Sequence, residues 1–317
     1  MQTRPYGSCG LDVSTVAYGA MQIAADPDIS RGVAPSLLHA LDQGVTVIDT
    51  ARAYPQSEAL IASTLREWRG PRPAIATKLI PLSRETFRFP APLSTAYTRA
   101  SIRSSVEASL RTLDVETLDI VHLHQWWYAW THDSEWLDTL ADLRREGKVR
   151  RIAISAQDHE HDALLEVVSL GLLDGIQIIL NLFESRPMAS LLPLARAKGV
   201  GVIARCVFDS GGLSGTLSKD EFDVRPFLKK APYELYQERV RRLRERFIPE
   251  HAADVADLAL RFALSVPGVS SVTVGMHTRA LVDATLKSAR KGILPHDTVE
   301  AIRREHVWTK NFYEGLT

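Results

Sequence analysis

The sequence predicts a single (β/α)8 TIM barrel, and three observations support this fold class. Short runs rich in β-branched residues alternate with amphipathic stretches along the whole chain, which is typical of a parallel sheet covered by helices. Eight such strands and eight helices fit within 317 residues, a common size for one barrel domain spanning residues 1–317. The alternative, a doubly wound open sheet, usually has a glycine-rich phosphate loop after its first strand, and residues 18–21 offer none.

The predicted elements alternate regularly in chain order. The strands are residues 15–19, 45–50, 73–79, 118–125, 150–156, 175–181, 199–206 and 269–275. The helices are residues 34–43, 57–68, 98–113, 133–146, 162–170, 189–198, 252–265 and 278–289. Glycines at Gly44, Gly147, Gly171 and Gly199 are placed as helix C-caps, and Ser57 is the expected N-cap of the second helix.

Two segments lie outside the eightfold pattern. Residues 1–13 contain a turn at residues 7–10 between two short extended pieces, which predicts a hairpin that closes the bottom of the barrel. A long insertion at residues 209–251 follows the seventh strand. Because long rim loops in compact domains are usually lids or disordered segments, we interpret this insertion as a lid over a ligand.

Composition excludes several classes of function. The 38 basic and 38 acidic residues cancel, so no strong field attracts nucleic acid or an anionic membrane. Two cysteines give no disulfide framework and favour a reducing compartment. No signal peptide and no run of about 20 apolar residues occur, so we expect a soluble, cytoplasmic protein.

Four chemically active side chains follow successive predicted strands. Asp49 ends the second strand and Tyr54 lies in the turn behind it. Lys78 and His124 lie at the ends of the third and fourth strands. The C-terminal ends of barrel strands meet at the rim that carries the active site, so these side chains are expected together there. An acid, a phenol, an amine and an imidazole suit proton transfer to a carbonyl oxygen.

The pair His122 and His124 raises the alternative of a metal-dependent hydrolase, because a His-x-His on a strand places both rings on one face. Such a site needs further ligands from other strands, and the fifth and sixth strands provide none. The sequence therefore predicts no catalytic metal.

Five motifs resemble those of the aldo-keto reductases. They are residues 48–54 (Ile-Asp-Thr-Ala-Arg-Ala-Tyr), residues 106–113 with the strand that ends at His124, residues 147–155, Gln177 with Asn181, and residues 212–215. They occur in order along nearly the whole chain. The resemblance implies a (β/α)8 barrel that binds a nicotinamide cofactor across its rim and transfers hydride to an aldehyde or ketone.

Hydride addition places negative charge on the carbonyl oxygen, so a group must protonate that oxygen. We assign Tyr54 as this general acid, with Lys78 close by to lower the phenol pKa and Asp49 to orient Lys78. His124 is expected to donate a hydrogen bond to the substrate oxygen.

The resemblance also implies a nicotinamide site formed by Ser155, Gln177 and Asn181. Arg205 stands where many members have a tyrosine that stacks on the nicotinamide ring. Its positive charge is expected to disfavour the oxidised cofactor; in the alternative interpretation Arg205 pairs with Asp209.

At the adenine end, the resemblance places Gly212 of the lid, Gly275, His277 and Arg279 against the cofactor. Arg279, or alternatively His277, is expected to pair with a 2′-phosphate, which favours NADPH over NADH. The chain departs from the family pattern on the following helix, where Leu281, Ala284 and Thr285 replace polar side chains that grip the adenine nucleotide.

The candidate substrate pocket consists of Met21, Arg52, Trp126 and Trp127, in a rim that is rich in aromatic residues. The leading hypothesis is an NADPH-dependent reductase of a small carbonyl compound, such as a sugar or an aromatic aldehyde. The alternatives are a redox-neutral isomerase, epimerase or lyase that retains its cofactor, and a non-catalytic cofactor-sensing subunit.

Overall fold

The computed structural model describes residues 1–24, 27–83, 91–225, 228 and 231–308, and its centre is a closed parallel barrel. The strands are β1 (Thr3–Pro5), β2 (Asp12–Ser14), β3 (Val16–Gly19), β4 (Val47–Asp49), β5 (Ala74–Leu79), β6 (Leu118–Leu123), β7 (Val149–Ser155), β8 (Gly175–Ile179), β9 (Gly201–Arg205) and β10 (Ser271–Gly275). Strands β3 to β10 form the barrel in sequence order, with β10 closing onto β3. The predicted fold class is confirmed.

Helices cover the outside of the barrel. They are α1 (Pro27–Asp42), α2 (Ser57–Glu67), α3 (Arg99–Leu113), α4 (Ser134–Arg145), α5 (Leu165–Ser169), α6 (Leu191–Ala197), α7 (Lys219–Asp223), α8 (Tyr233–Phe247), α9 (Val255–Ser265), α10 (Arg279–Arg290) and α11 (His296–Glu305). Helices α7 and α8 belong to the insertion after the seventh barrel strand, and α11 follows the last barrel helix. In the part of the chain that is described, no helix is long and apolar enough to cross a membrane.

The predicted helix caps are found with one exception, and α1 begins at Pro27, seven residues before the predicted start. Gly44, Gly147, Gly171 and Gly199 all adopt positive φ, the left-handed conformation that a glycine C-cap requires. Ser57 is the first residue of α2 and not its N-cap. Its hydroxyl instead hydrogen-bonds to Thr50 Oγ1 at 2.8 Å, which ties the helix start to the end of β4.

The N-terminal hairpin closes the bottom of the barrel, as expected. Strands β1 and β2 pair antiparallel. The fully buried Tyr6 packs against small or branched side chains inside the barrel, among them Ala17, Ala76 and Ile203. A Cβ on Gly175 would lie 1.8 Å from the Tyr6 hydroxyl oxygen, so the ring fits because this strand position has no side chain.

Two hydrogen bonds join α8 to the first residues of the insertion. The Tyr236 hydroxyl of α8 donates to Asp209 Oδ2 at 2.8 Å, and Arg244 donates to the carbonyl of Gly215 at 2.8 Å. Residues 226, 227, 229 and 230 of the predicted lid lie outside the described residues.

Candidate active site

Asp49 and Lys78 form a buried ion pair at the ends of neighbouring strands. Lys78 Nζ donates to Asp49 Oδ1 at 2.8 Å and to the carbonyl of Thr50 at 2.9 Å. The two side chains are only 7% and 1% exposed, respectively. Because the ammonium is held by a carboxylate and a carbonyl, its position is fixed relative to the rim.

Tyr54 and His124 lie next to this pair. The Tyr54 ring centroid is 5.4 Å from Lys78 Nζ and 6.0 Å from the His124 ring, which meets it edge to face. The structure therefore brings together the four residues that the sequence selected from three strand ends.

Burial of the Tyr54 phenol raises its pKa above the ordinary value of 10, while Lys78 and also Arg205 oppose that rise. Lys78 lowers the pKa of Tyr54, as the sequence predicts, but burial raises it by more, so the net direction is upward. Desolvation is the larger effect because the site lies in a largely enclosed part of the rim.

Two further donors hold Asp49 from the far side of the barrel. Gln177 Nε2 donates to Asp49 Oδ1 at 2.8 Å, and Thr273 Oγ1 lies 3.3 Å from Asp49 Oδ2. Thr273 was not among the residues selected from the sequence. Its signal was a hydroxyl between two valines in strand β10.

A cavity of about 1210 Å³ opens beside these residues. It reaches from the rim, where Asp49, Tyr54 and His124 line it, past the start of the insertion to the facing sides of α9 and α10. The insertion contributes several lining residues, namely Ser210, Gly211, Ser214, Thr216, Leu217, Glu221 and Arg225. This position supports the interpretation of the insertion as a lid.

Five of the predicted cofactor residues line the cavity, namely Ser155, Gln177, Arg205, Gly275 and His277. Within the described part of the chain, the other three do not line the cavity: Asn181, Gly212 and Arg279. The Asn181 amide holds the loop after β8, since it accepts from the amides of residues 183 and 184 and donates to residue 206. Gly212 is buried against Tyr236, and Arg279 is exposed on the first turn of α10.

Arg205 forms an ion pair across the rim. Its guanidinium donates to Asp158 Oδ1 at 2.7 Å and to the carbonyl of Ala156 at 3.0 Å. The alternative from the sequence named Asp209 as the partner, whereas the carboxylate found beside Arg205 is Asp158. Arg205 also lines the cavity, so its guanidinium would face a ligand bound there, while Asp158 partly balances its charge.

The predicted substrate residues divide into two groups. Met21 and Trp127 line the cavity. Trp126 is buried in an edge-to-face cluster with Trp130 and Trp136, and therefore supports the loop from behind. Arg52 donates to the buried Glu58 at 2.7 Å, so its charge is already paired.

Several polar residues at the end of the cavity between α9 and α10 were not selected from the sequence. Asp257, Lys287, Ser288 and Lys291 line the cavity where α9 faces α10. Asp257 accepts from Ser288 Oγ at 2.6 Å and from Lys291 Nζ at 2.8 Å. The only sequence signal was the i, i+4 pair of lysines at the end of α10.

Among the residues that are described, no group of three or more His, Cys, Asp or Glu side chains is arranged to hold a metal ion. The hypothesis of a metal-dependent hydrolase therefore gains no support from the geometry around His122 and His124.

Comparison with known proteins assigns the chain to the same family that its motifs resemble. The Aldo/keto reductase family matches residues 15–305. The chain is 28% identical over 236 residues to the NADH-specific methylglyoxal reductase of Escherichia coli, covering 69% of this chain and 71% of that protein. It is 27% identical over 293 residues to the L-galactose dehydrogenase of Arabidopsis thaliana, covering 89% and 86%.

Solved structures show the same architecture. A glycerol dehydrogenase from Gluconobacter oxydans superimposes with a TM-score of 0.76 at 26% identity, covering 96% of both chains. An aldo-keto reductase from Bacillus halodurans superimposes with a TM-score of 0.77 at 23% identity, covering 98% of this chain and 99% of that one.

Proposed function

Because the chain belongs to the aldo/keto reductase family, we propose that it reduces a small aldehyde or ketone with a reduced nicotinamide cofactor. The observation that carries the proposal is the assembly of Tyr54, Lys78, Asp49 and His124 at one end of a large cavity. Isolated residues of these types are common on barrel rims, but this arrangement joins an acid, its activator and a carbonyl-binding donor.

The residues present fit such a cofactor. Ser155 and Gln177 offer polar groups at the nicotinamide end of the cavity, and His277, Lys287 and Lys291 offer cationic or polar groups toward the other end. When bound, the reduced nicotinamide supplies a hydride to the carbonyl carbon.

The chain's own residues then handle the proton. Tyr54 donates its hydroxyl proton to the carbonyl oxygen, which leaves a phenolate that Lys78 stabilises. Asp49 keeps the ammonium in place, and His124 positions the substrate oxygen. In the oxidative direction the phenolate takes the proton back.

We favour NADPH over NADH. His277 lines the cavity just before α10, and Lys287 and Lys291 add two ammonium groups to its wall, of which Lys291 is paired with Asp257. These groups, and not Arg279, would meet a 2′-phosphate. One relative is named as NADH-specific, so a titration with both nucleotides tests this assignment directly.

The substrate is proposed to be small and uncharged. Met21, Trp127 and Phe208 give the rim an apolar wall, while Arg52 and Arg205 are paired with carboxylates. The names of the relatives, a methylglyoxal reductase and sugar or polyol dehydrogenases, point to the same size class.

Cys9 and Cys206 are free thiols, which suits action in the cytoplasm.

Tyr54→Phe tests the proposal. The variant is expected to lower kcat by a factor of about 100 to 10,000, because it removes the general acid. Binding of NADPH, followed by quenching of tryptophan fluorescence, should remain within about twofold, since the ring is retained. Tyr128→Phe, which alters an exposed tyrosine of the same rim, is the matched control.

Two results would contradict the proposal. One is full turnover by Tyr54→Phe, and the other is failure of the wild-type protein to bind either nucleotide. Product formed without consumption of NADPH would instead indicate the redox-neutral alternative.

A further inference from the structure

Two fully buried side chains inside the barrel each have a polar atom without a hydrogen-bond partner in the described part of the chain. These atoms are the hydroxyl oxygen of Tyr6 and Nε2 of His122. Buried polar atoms are almost always paired in native proteins, either with protein groups or with ordered water. The proposed reduction chemistry uses neither residue.

Strand register relates the positions of the two side chains. His122 on β6 is in register with Ala153 on β7, and Ala153 is in register with Gly175 on β8. The Tyr6 hydroxyl lies against Gly175, because a Cβ atom added to Gly175 would be 1.8 Å from the Tyr6 hydroxyl oxygen. Neighbouring strands are about 4.8 Å apart, so the backbones of His122 and Gly175 are separated by roughly 10 Å.

The side chains between them are small. Ala153 has only a methyl group, and Gly175 has no side chain, although the Tyr6 ring fills the position of its missing Cβ. His122 follows Ile120 by two residues on β6 and therefore points, like Ile120, toward the barrel interior that Tyr6 occupies. A water molecule needs polar partners on at least two sides, and the two unpaired atoms provide them.

The other face of His122 contacts the strand that carries the proposed activator lysine. His122 Nδ1 lies 3.3 Å from the carbonyl of Thr77, the residue before Lys78, and His122 is in register with Lys78 itself. Burial, and then the charge of Lys78, lower the pKa of His122 to about 4, so the ring is neutral near pH 7. A neutral ring that donates from Nδ1 to Thr77 must accept at Nε2.

We propose that one buried water binds between the Tyr6 hydroxyl and His122 Nε2, and that through it the N-terminal hairpin fixes His122 as a positioning residue for Lys78. Tyr6 donates its O–H to the water, the water donates to Nε2, and Nδ1–H donates to Thr77. The hairpin at the barrel bottom is thereby connected to the segment that holds the lysine at the rim.

The direct test measures the ring nitrogens of His122 by NMR in the full-length, 15N-labelled protein at pH 7. The expected spectrum shows a protonated Nδ1. It also shows an unprotonated Nε2 whose 15N chemical shift differs from that of a ring nitrogen that accepts no hydrogen bond. Tyr6→Phe, which removes only the hydroxyl, should move the Nε2 resonance toward the unbonded value. The control Tyr18→Phe removes a buried hydroxyl that bonds to Ser36 instead, and should leave it unchanged.

Three results would overturn the water link. They are a protonated Nε2, an Nε2 chemical shift in the wild-type protein that matches a lone pair without a hydrogen bond, and an Nε2 chemical shift that Tyr6→Phe leaves unchanged. The kinetic part rests on the proposed function. Tyr6→Phe is expected to lower kcat by about fivefold with KM unchanged, the effect of losing one hydrogen bond that positions a catalytic group. An unchanged kcat alongside the NMR change would refute the positioning role alone. Absence of any carbonyl reduction by the wild-type protein would refute the proposed function and leave the NMR result valid.

Discussion

At the scale of single residues, the site balances burial against charge. The environment that excludes water from Tyr54 raises its pKa, which makes it a weaker acid. Lys78 and Arg205 are the cations that oppose this rise, and each is held by a carboxylate, Asp49 for the first and Asp158 for the second. Because Arg205 lies on the cavity wall, its charge affects both the pKa of the Tyr54 phenol and the affinity for any cationic ring that binds nearby.

Arg205 is predicted to bias the site toward reduced cofactor. Arg205→Tyr should raise the affinity for the oxidised form relative to the reduced form by about tenfold, because one nearby positive charge is removed. Asp158→Asn should shift the same ratio in the opposite direction, since it removes the carboxylate that balances the guanidinium. Fluorescence titrations with both forms measure the ratio, and an unchanged ratio in Arg205→Tyr would refute the prediction.

At the scale of secondary-structure elements, glycines control how closely the pieces of the barrel approach. Gly175 on β8 allows the Tyr6 ring of the hairpin to enter the barrel, while Gly147 ends α4 with a φ of 76° and has no atom near its missing Cβ. The first glycine is needed for space and the second for backbone conformation. These two causes have different energetic costs.

Gly175→Ala should therefore destabilise the protein more than Gly147→Ala. We expect about 3 kcal/mol for the first, from overpacking against Tyr6, and about 1 kcal/mol for the second, from the left-handed backbone. Chemical denaturation followed by circular dichroism measures both. Adding Tyr6→Leu to Gly175→Ala should recover part of the loss, and equal costs for the two single variants would show that the hairpin does not fill the barrel as described.

At the scale of the whole molecule, several buried ionisable groups set the response to acid. Burial lowers the pKa of His122 and of His306 to about 4, from an ordinary value of 6.5. Glu184 behaves differently: burial opposes its ionisation, but hydrogen bonds from Arg186 and His159 hold its pKa at about 2. Its contribution to stability is lost only as the pH falls from about 4.5 toward 2.

Stability is predicted to fall between pH 6.5 and pH 4. In this range the unfolded chain binds protons at His122 and His306 that the folded protein does not, so the free energy of unfolding decreases as the pH falls. His122 alone accounts for a slope of up to about 1.4 kcal/mol per pH unit. Urea denaturation across this range measures the slope, which His122→Gln should reduce and His296→Gln, at an exposed position, should not.

Local sequence patterns are sufficient to predict the barrel, its order of elements and the residues at the strand ends. These features depend on local patterns: hydrophobic periodicity marks strands and helices, and a parallel barrel places the C-terminal end of every strand at the same rim. For this reason the sequence predicts that Asp49, Lys78 and His124 lie together, and the structure does bring them together.

Tertiary contacts, in contrast, set which side chains face the cavity and which partners they have. Asn181, Arg52 and Trp126 belong to motifs or runs that suggested ligand contacts, yet each is used in packing or in hydrogen bonds that support the rim. Conversely, Thr273 and Asp257 lie at the site because strands and helices far apart in sequence meet there. Such contacts depend on the paths of loops and on the fit between distant elements, and no local pattern in the sequence encodes either one.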